Sequence, residues 1–206
     1  MSVAYLSTAY LAPVQYYSKL ALFDDIRIET EENYLKQTYR NRCLIASANG
    51  IQPLTVPVEK PKTVKASTRD IRVSNHGNWR HLHWNALVSA YNMSPFFEYY
   101  ADDFRPFYEK KYNFLVDYNE ALRDTICNLI DIKPKITHTK KYEFLVENDF
   151  RNMIDPRHPL EDATFTPHAY YQVFNGKHGF LPNLSIVDLL FNMGPESILI
   201  LLSDCK

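Results

Sequence analysis

The segment VAYLSTAYLAPVQYYSKLALFDDIRIE, residues 3–29, changes its hydrophobic period twice. VAYLSTAYL is rich in strand-forming residues and runs up to Pro13. After the proline, Tyr16, Tyr17, Leu20 and Phe23 recur at helical spacing, and from Asp24 to Glu29 the chain alternates as a short strand. Strand, helix, strand in this order predicts a βαβ start to an α/β fold. Ligands of open α/β sheets favour the carboxyl ends of the strands, which makes this unit a candidate nucleotide-binding half on fold analogy alone.

Outward from this unit, YRNRCLIASANGIQPLTVPVE sets two strand-like runs around Asn49-Gly50, a pair that suits a type I′ hairpin turn. EKPKTVKASTRD reads as an exposed connection, and DIRVS as one more strand. From Trp79 the period becomes helical. Leu82, Ala86, Leu87 and Tyr91 mark one helix, PFFEYYADDFRPFYEKKY a second that breaks near Pro106, and Leu115, Tyr118, Leu122, Ile126 and Leu129 share one face of a third. DPRHPLEDATFTPHAYYQVFNGKHGFLP, with its prolines and glycines, is expected to be ordered but irregular. Ser185 with Asp188 has the spacing of a capping box, and Gly194-Pro195 separates two short terminal helices. The expected architecture is α/β or α+β: one domain over 1–206, a small mixed sheet with an Asn-Gly hairpin, a helical middle and two short C-terminal helices.

A net charge of −1 and a pI near 6.7 provide no global field for nucleic acid or an anionic membrane. Cys43, Cys127 and Cys205 are odd in number and widely spaced, as in a reducing compartment. The N-terminus lacks a basic n-region, and no run reaches the roughly 18 uninterrupted apolar residues of a membrane span. A soluble, cytoplasmic protein without a membrane span is expected. The nucleotide-loop, zinc-protease and nucleophile-elbow motifs are absent, and no cofactor is indicated.

Several polar groups stand out against ordinary structural readings. His83, between Trp79 and Trp84, has surroundings that tune an imidazole across neutrality; a helix histidine bonded to backbone is an equal alternative. His81 and His83 face different sides of a helix, without a metal-ligand spacing. In YRNR, two guanidiniums and the Asn41 amide suit a grip on phosphate or carboxylate, against strand-end salt bridges. Tyr171 and Gln172 have the chemistry to stack on and hydrogen-bond a sugar, against loop packing. His158 and Asp162 form an H-x-x-x-D string among prolines, a pattern frequent by chance. Ser185, Asp188 and Asn192 fall within an arc of about 60° on a helical wheel and read as a wet stripe.

Taken in order, RNRCLI with NGIQPLTVPV, WRHLHWNALVSAY with PFF, YYQVF and FLPNLSIVDLLFNMGPES resemble the WbqC-like protein family from about residue 3 to residue 198. YLAPVQYYSKL keeps Pro13 and the aromatics of the family's opening motif but lacks its glutamine-proline pair. The resemblance implies an association with O-antigen and other surface-polysaccharide synthesis. It also implies a small-molecule partner of the nucleotide-linked amino sugar kind that receives an acyl or glycyl group. Carried over by motif, His83 and Asp188 are the candidate catalytic residues, and Asn41, Arg42, Tyr171, Gln172 and Asn192 the candidate substrate-binding residues. In this reading His83 is the general base and Arg42 clamps a phosphate or carboxylate. The alternatives are a non-catalytic partner in a polysaccharide assembly complex and a nucleotide-binding α/β enzyme of another class.

Overall fold

The computed structural model describes residues 2–61, 63 and 65–203. Cys205 lies outside them. The expected βαβ unit is present. β1 (Val3–Ser7) leads through α1 (Val14–Leu22) to β2 (Asp25–Glu29), which pairs parallel to β1 with Leu6 opposite Ile28. After β3 (Arg42–Ser47), β4 (Gly50–Thr55), α2 (Trp79–Tyr91), α3 (Phe97–Glu109) and α4 (Leu115–Leu129), the short β5 (Lys135–His138) returns parallel to β2, giving the order β1-β2-β5. β5 has no sequence signal, because Lys-Ile-Thr-His carries a single apolar residue.

One face of the sheet is apolar. Ala4, Leu6, Ile26 and Ile28 are buried in the core with Tyr17, Leu20, Leu122 and Ile126. The opposite face carries Tyr5 and Arg27 and, at the carboxyl edge, Ser7 and Glu29, because successive strand residues point to opposite sides. Residues 148–150 run along β1: Tyr5 donates its amide to the Asn148 carbonyl at 3.0 Å, and Phe150 donates to the Tyr5 carbonyl at 2.9 Å. Helices cover a parallel sheet on both faces in the common arrangement. Here irregular chain lies over the polar face.

The remaining strands are the hairpin β3-β4, antiparallel with Ser47 opposite Gly50. Its turn is not type I′, since Gly50 takes φ +100° while Asn49 stays at negative φ. Ser47 Oγ closes the turn instead, donating to the Gly50 carbonyl at 2.8 Å and accepting from the Asn49 amide. DIRVS makes only isolated bridges, Val73 to Val58 and Arg72 to Phe114. α3 runs through Pro106 without breaking, because the proline removes a single amide donor while buried Phe104 and Phe107 beside it hold the helix on the core.

Residues 155–182 are irregular except for the single turn α5 (Asn175–His178). α6 (Ile186–Met193) and α7 (Ser197–Ser203) then end the described chain, joined by a 3-10 turn, Gly194–Glu196. By length and apolarity the run Ile186–Ser203 suffices to cross a membrane, yet 56% of it is buried inside the protein. Gly194, at φ +56°, also separates its two helices. The capping box does not form. Ser185 Oγ donates to the Leu11 carbonyl at 2.7 Å, and the Asp188 carboxylate turns inward.

Candidate functional site

Glu29 ends β2 with no exposed surface, although the alternation along DIRIE directs it to the polar side of the sheet. An ionised carboxylate buried there needs charge-assisted partners. Arg151 donates to it from Nη1 at 3.0 Å, Thr139 from its hydroxyl at 2.7 Å and Glu31 from its backbone amide at 2.8 Å. The Arg151 side chain is fully buried as well. It grips Asp149 through Nε (2.8 Å) and Nη2 (2.6 Å) and reaches the Glu143 carbonyl at 2.7 Å, while Tyr142 and Tyr5 lie over its guanidinium at 4.4 and 5.6 Å. The hydrogen bonds that Arg151 donates to Asp149 raise its own pKa. Burial acts to raise the Asp149 carboxyl, but its bonds to Arg151 prevail and lower it.

Beside this pair is a second one. Arg40, from the loop before β3, clamps Glu32 in bidentate fashion at 2.7 and 2.6 Å and donates to Ser7 Oγ at the end of β1 at 3.0 Å. Its Nη1 has no acceptor among the described residues. Asn119 of α4 bridges the same region, donating to Thr8 Oγ1 at 3.1 Å and to the Arg40 carbonyl at 2.8 Å. Tyr34, nearby, is pushed up to about 12 by burial.

The carboxyl edge of the parallel sheet thus gathers Ser7 at the end of β1 with Thr8 after it, Glu29 at the end of β2 with Glu31 and Glu32 in the loop that follows, and Thr139 just past β5. A cavity with room for about one water lies between Arg40, Arg151, Tyr16 and Tyr39. Outside it opens a pocket of about 420 Å³ whose walls include Glu31, Glu32, Asn33, Tyr142, Phe144 and Asn152. Among the described residues no three His, Cys, Asp or Glu side chains are grouped to hold a metal ion.

The residues singled out from the sequence lie elsewhere, in two buried networks. Asp188, with no exposed surface, accepts from Tyr91 at 2.9 Å, Tyr170 at 2.8 Å and Gln172 Nε2 at 2.8 Å. Burial raises its pKa and the three hydrogen bonds lower it, with burial prevailing. Gln172 also exchanges both amide groups with the Leu181 backbone at 2.9 Å, and Asn192 donates to the Asp188 carbonyl at 2.7 Å. The stripe on α6 is therefore dry, a set of pins holding the 170–181 loop and α2 together. Tyr171 points the other way and is half exposed.

The second network lies at the hairpin. Arg42 Nε donates to Thr55 Oγ1 at 3.1 Å, and Asn41 Nδ2 to the Val56 carbonyl at 2.9 Å. His83 Nδ1 is 3.0 Å from the Tyr10 hydroxyl, which also lies 3.0 Å from that of Tyr108. Burial drops the His83 pKa to about 4, although the Thr55 carbonyl raises it. A neutral ring that donates to Thr55 and accepts from Tyr10 satisfies all three groups. Such a ring has no free nitrogen for a substrate proton. Asp162 is buried on Lys19 at 2.7 Å, with Gln15 and Thr164 as further donors, while His158 is exposed.

Sequence reasoning missed Glu29, Arg151 and Asn119; it counted Arg40 among the two guanidiniums of YRNR, with a salt bridge as the alternative, and Arg40 does pair with Glu32. The available signal was Ile28-Glu29-Thr30, where a strand ends in a carboxylate at the position that ligands of parallel sheets favour.

The fold and this edge define an α/β protein with a polar, charge-paired cleft at the ends of its parallel strands. The model of the WbqC-like protein family matches residues 8–157, and the chain belongs to that family. It is 26% identical over 220 residues to the Uncharacterized protein Rv1507c of Mycobacterium tuberculosis (strain ATCC 25618 / H37Rv), with 95% of each chain covered. No solved structure matches.

Proposed function

We propose that the protein acts in surface-polysaccharide biosynthesis and binds a nucleotide-linked amino sugar at the carboxyl edge of its sheet for acyl or aminoacyl transfer to the sugar amine. The observation that carries this reading is the convergence of three strand ends, Arg40 and an open pocket at the position where parallel α/β sheets bind ligands. Membership of the WbqC-like family supports the pathway. In the reaction the amine attacks the acyl carbonyl of the donor, the donor's leaving group departs, and a base takes the amine proton. Glu31 suits that role: one carboxylate oxygen accepts from Arg69 at 2.8 Å, and the other has no partner among the described residues. Arg40, buried behind Glu32, holds that carboxylate in the wall of the pocket. The reactant is cytoplasmic, and so is the protein.

Binding is tested by calorimetry with UDP- and dTDP-linked amino sugars, and transfer by mass spectrometry after adding acyl donors. Binding together with a mass increase by one acyl group is the expected result. No binding at millimolar ligand refutes the reading. Binding without transfer favours a partner in an assembly complex, a reading that the prior pairing of most charges at this edge also favours.

A further inference from the structure

Within the site of that proposed function, and resting on it, we propose that the open pocket beside Glu32 is a glycosyl subsite that takes the neutral ring of the ligand through an aromatic wall and an amide rim. Phe144 is 83% exposed. It meets Tyr142 edge to face with ring centroids 5.0 Å apart, so a large apolar surface stands open to solvent beside polar groups. Tyr142 itself is fixed, since its ring lies over the Arg151 guanidinium at 4.4 Å. The C–H face of a pyranose is apolar with slight positive charge, and aromatic faces are negative, so the two surfaces complement each other.

The rim provides the hydroxyl partners. Asn33 and Asn152 are exposed, and their amides make no side-chain hydrogen bond among the described residues. Each offers a planar donor and acceptor, and Glu31 offers its unpartnered oxygen. Charge argues against an ion in this pocket. Glu31 is paired with Arg69 at 2.8 Å and Glu32 with Arg40 at 2.6 Å, so no carboxylate here lacks its countercharge. A volume of about 420 Å³ lies within the usual range of small-molecule sites. Polar groups already balanced in charge, next to bare aromatic surface, select a polyhydroxylated neutral ring over a phosphate.

The test compares UDP-N-acetylglucosamine, UDP and free N-acetylglucosamine by calorimetry on the full chain and on Phe144→Ala and Asn152→Ala. Both substituted side chains are exposed, so both variants keep the wild-type melting temperature. The expected result is a loss of roughly five- to tenfold in affinity for UDP-N-acetylglucosamine in Phe144→Ala, a smaller loss in Asn152→Ala, and unchanged affinity for UDP. Wild-type affinity for UDP-N-acetylglucosamine in both variants overturns the subsite and leaves the proposed function standing. Binding of the free sugar but of neither nucleotide, with the loss in Phe144→Ala, keeps the subsite and overturns the nucleotide-linked substrate. If the wild-type chain binds none of the three, the subsite falls, and the proposed function falls with it when the UDP- and dTDP-linked amino sugars also fail to bind.

Discussion

Replacing Arg151 by Met removes the cation that pairs with Glu29, a carboxylate with no exposed surface. Four hydrogen bonds are lost: one to Glu29, two to Asp149 and one to the Glu143 carbonyl. Thr139 and the Glu31 amide still reach Glu29, so its lone pairs are partly served, but the charge is left uncompensated. Removing one partner of a buried ion pair costs about 3–5 kcal/mol. For a chain of this size that lowers the melting temperature by roughly 6–20 °C, at roughly 2–4 °C per kcal/mol. Arg151→Lys keeps the charge but loses the bidentate fork on Asp149, and is expected to fall between the wild type and Arg151→Met. The control is Arg157→Met: its pair with Asp155 is partly exposed and contributes about 1 kcal/mol or less. Urea unfolding at pH 7 measures all three. A cost below about 1 kcal/mol for Arg151→Met, or one equal to that of Arg157→Met, would refute the view that this pair organises the carboxyl edge.

Three further outcomes are expected. The His83 pKa is depressed to about 4 in the folded chain against about 6.5 when unfolded, so between those values the unfolded state binds more protons and stability is lost as pH falls. From pH 7 to 4.5 the residue accounts for roughly 2 kcal/mol; the stability difference between wild type and His83→Gln across that interval reads it, and equal slopes contradict the burial of a neutral ring. Asp188→Asn turns an amide donor towards donors from Tyr91, Tyr170 or Gln172 and is expected to cost about 1–3 kcal/mol in chemical unfolding; an unchanged midpoint would show that the carboxylate is not needed there. In Gly194→Ala the new methyl would lie 2.6 Å from the Phe96 ring at a φ of +56°, which adds overpacking to backbone strain and is expected to cost about 3 kcal/mol or more. A melting temperature within a degree of wild type would exclude that clash.

The βαβ opening, the hairpin, the helices at Trp79 and Leu115 and the two terminal helices were legible because each is local. A hydrophobic period, a proline or a glycine defines them within a few residues. β5 was not legible, since four residues with one apolar side chain become a strand only through hydrogen bonds to β2 across more than a hundred residues. α3 continues past Pro106 because buried Phe104 and Phe107 outweigh one missing amide.

The site divides in the same way. Residue chemistry singled out His83 and Gln172, and the family resemblance added Asp188; all three are buried and hydrogen-bonded. Periodicity placed Asp188 and Asn192 on one face of α6 but carried no information on what covers that face, and Tyr91 and Tyr170, which do, are distant in the chain. Glu29 meets Arg151 across 122 residues, and no spacing rule links two positions so far apart. The sequence by itself determined the elements with a clear local period and the family, because local periodicity and motif order suffice for both. Only the tertiary structure decided which charges meet at the sheet's carboxyl edge, because a buried carboxylate is stable only where distant parts of the chain bring its counterion.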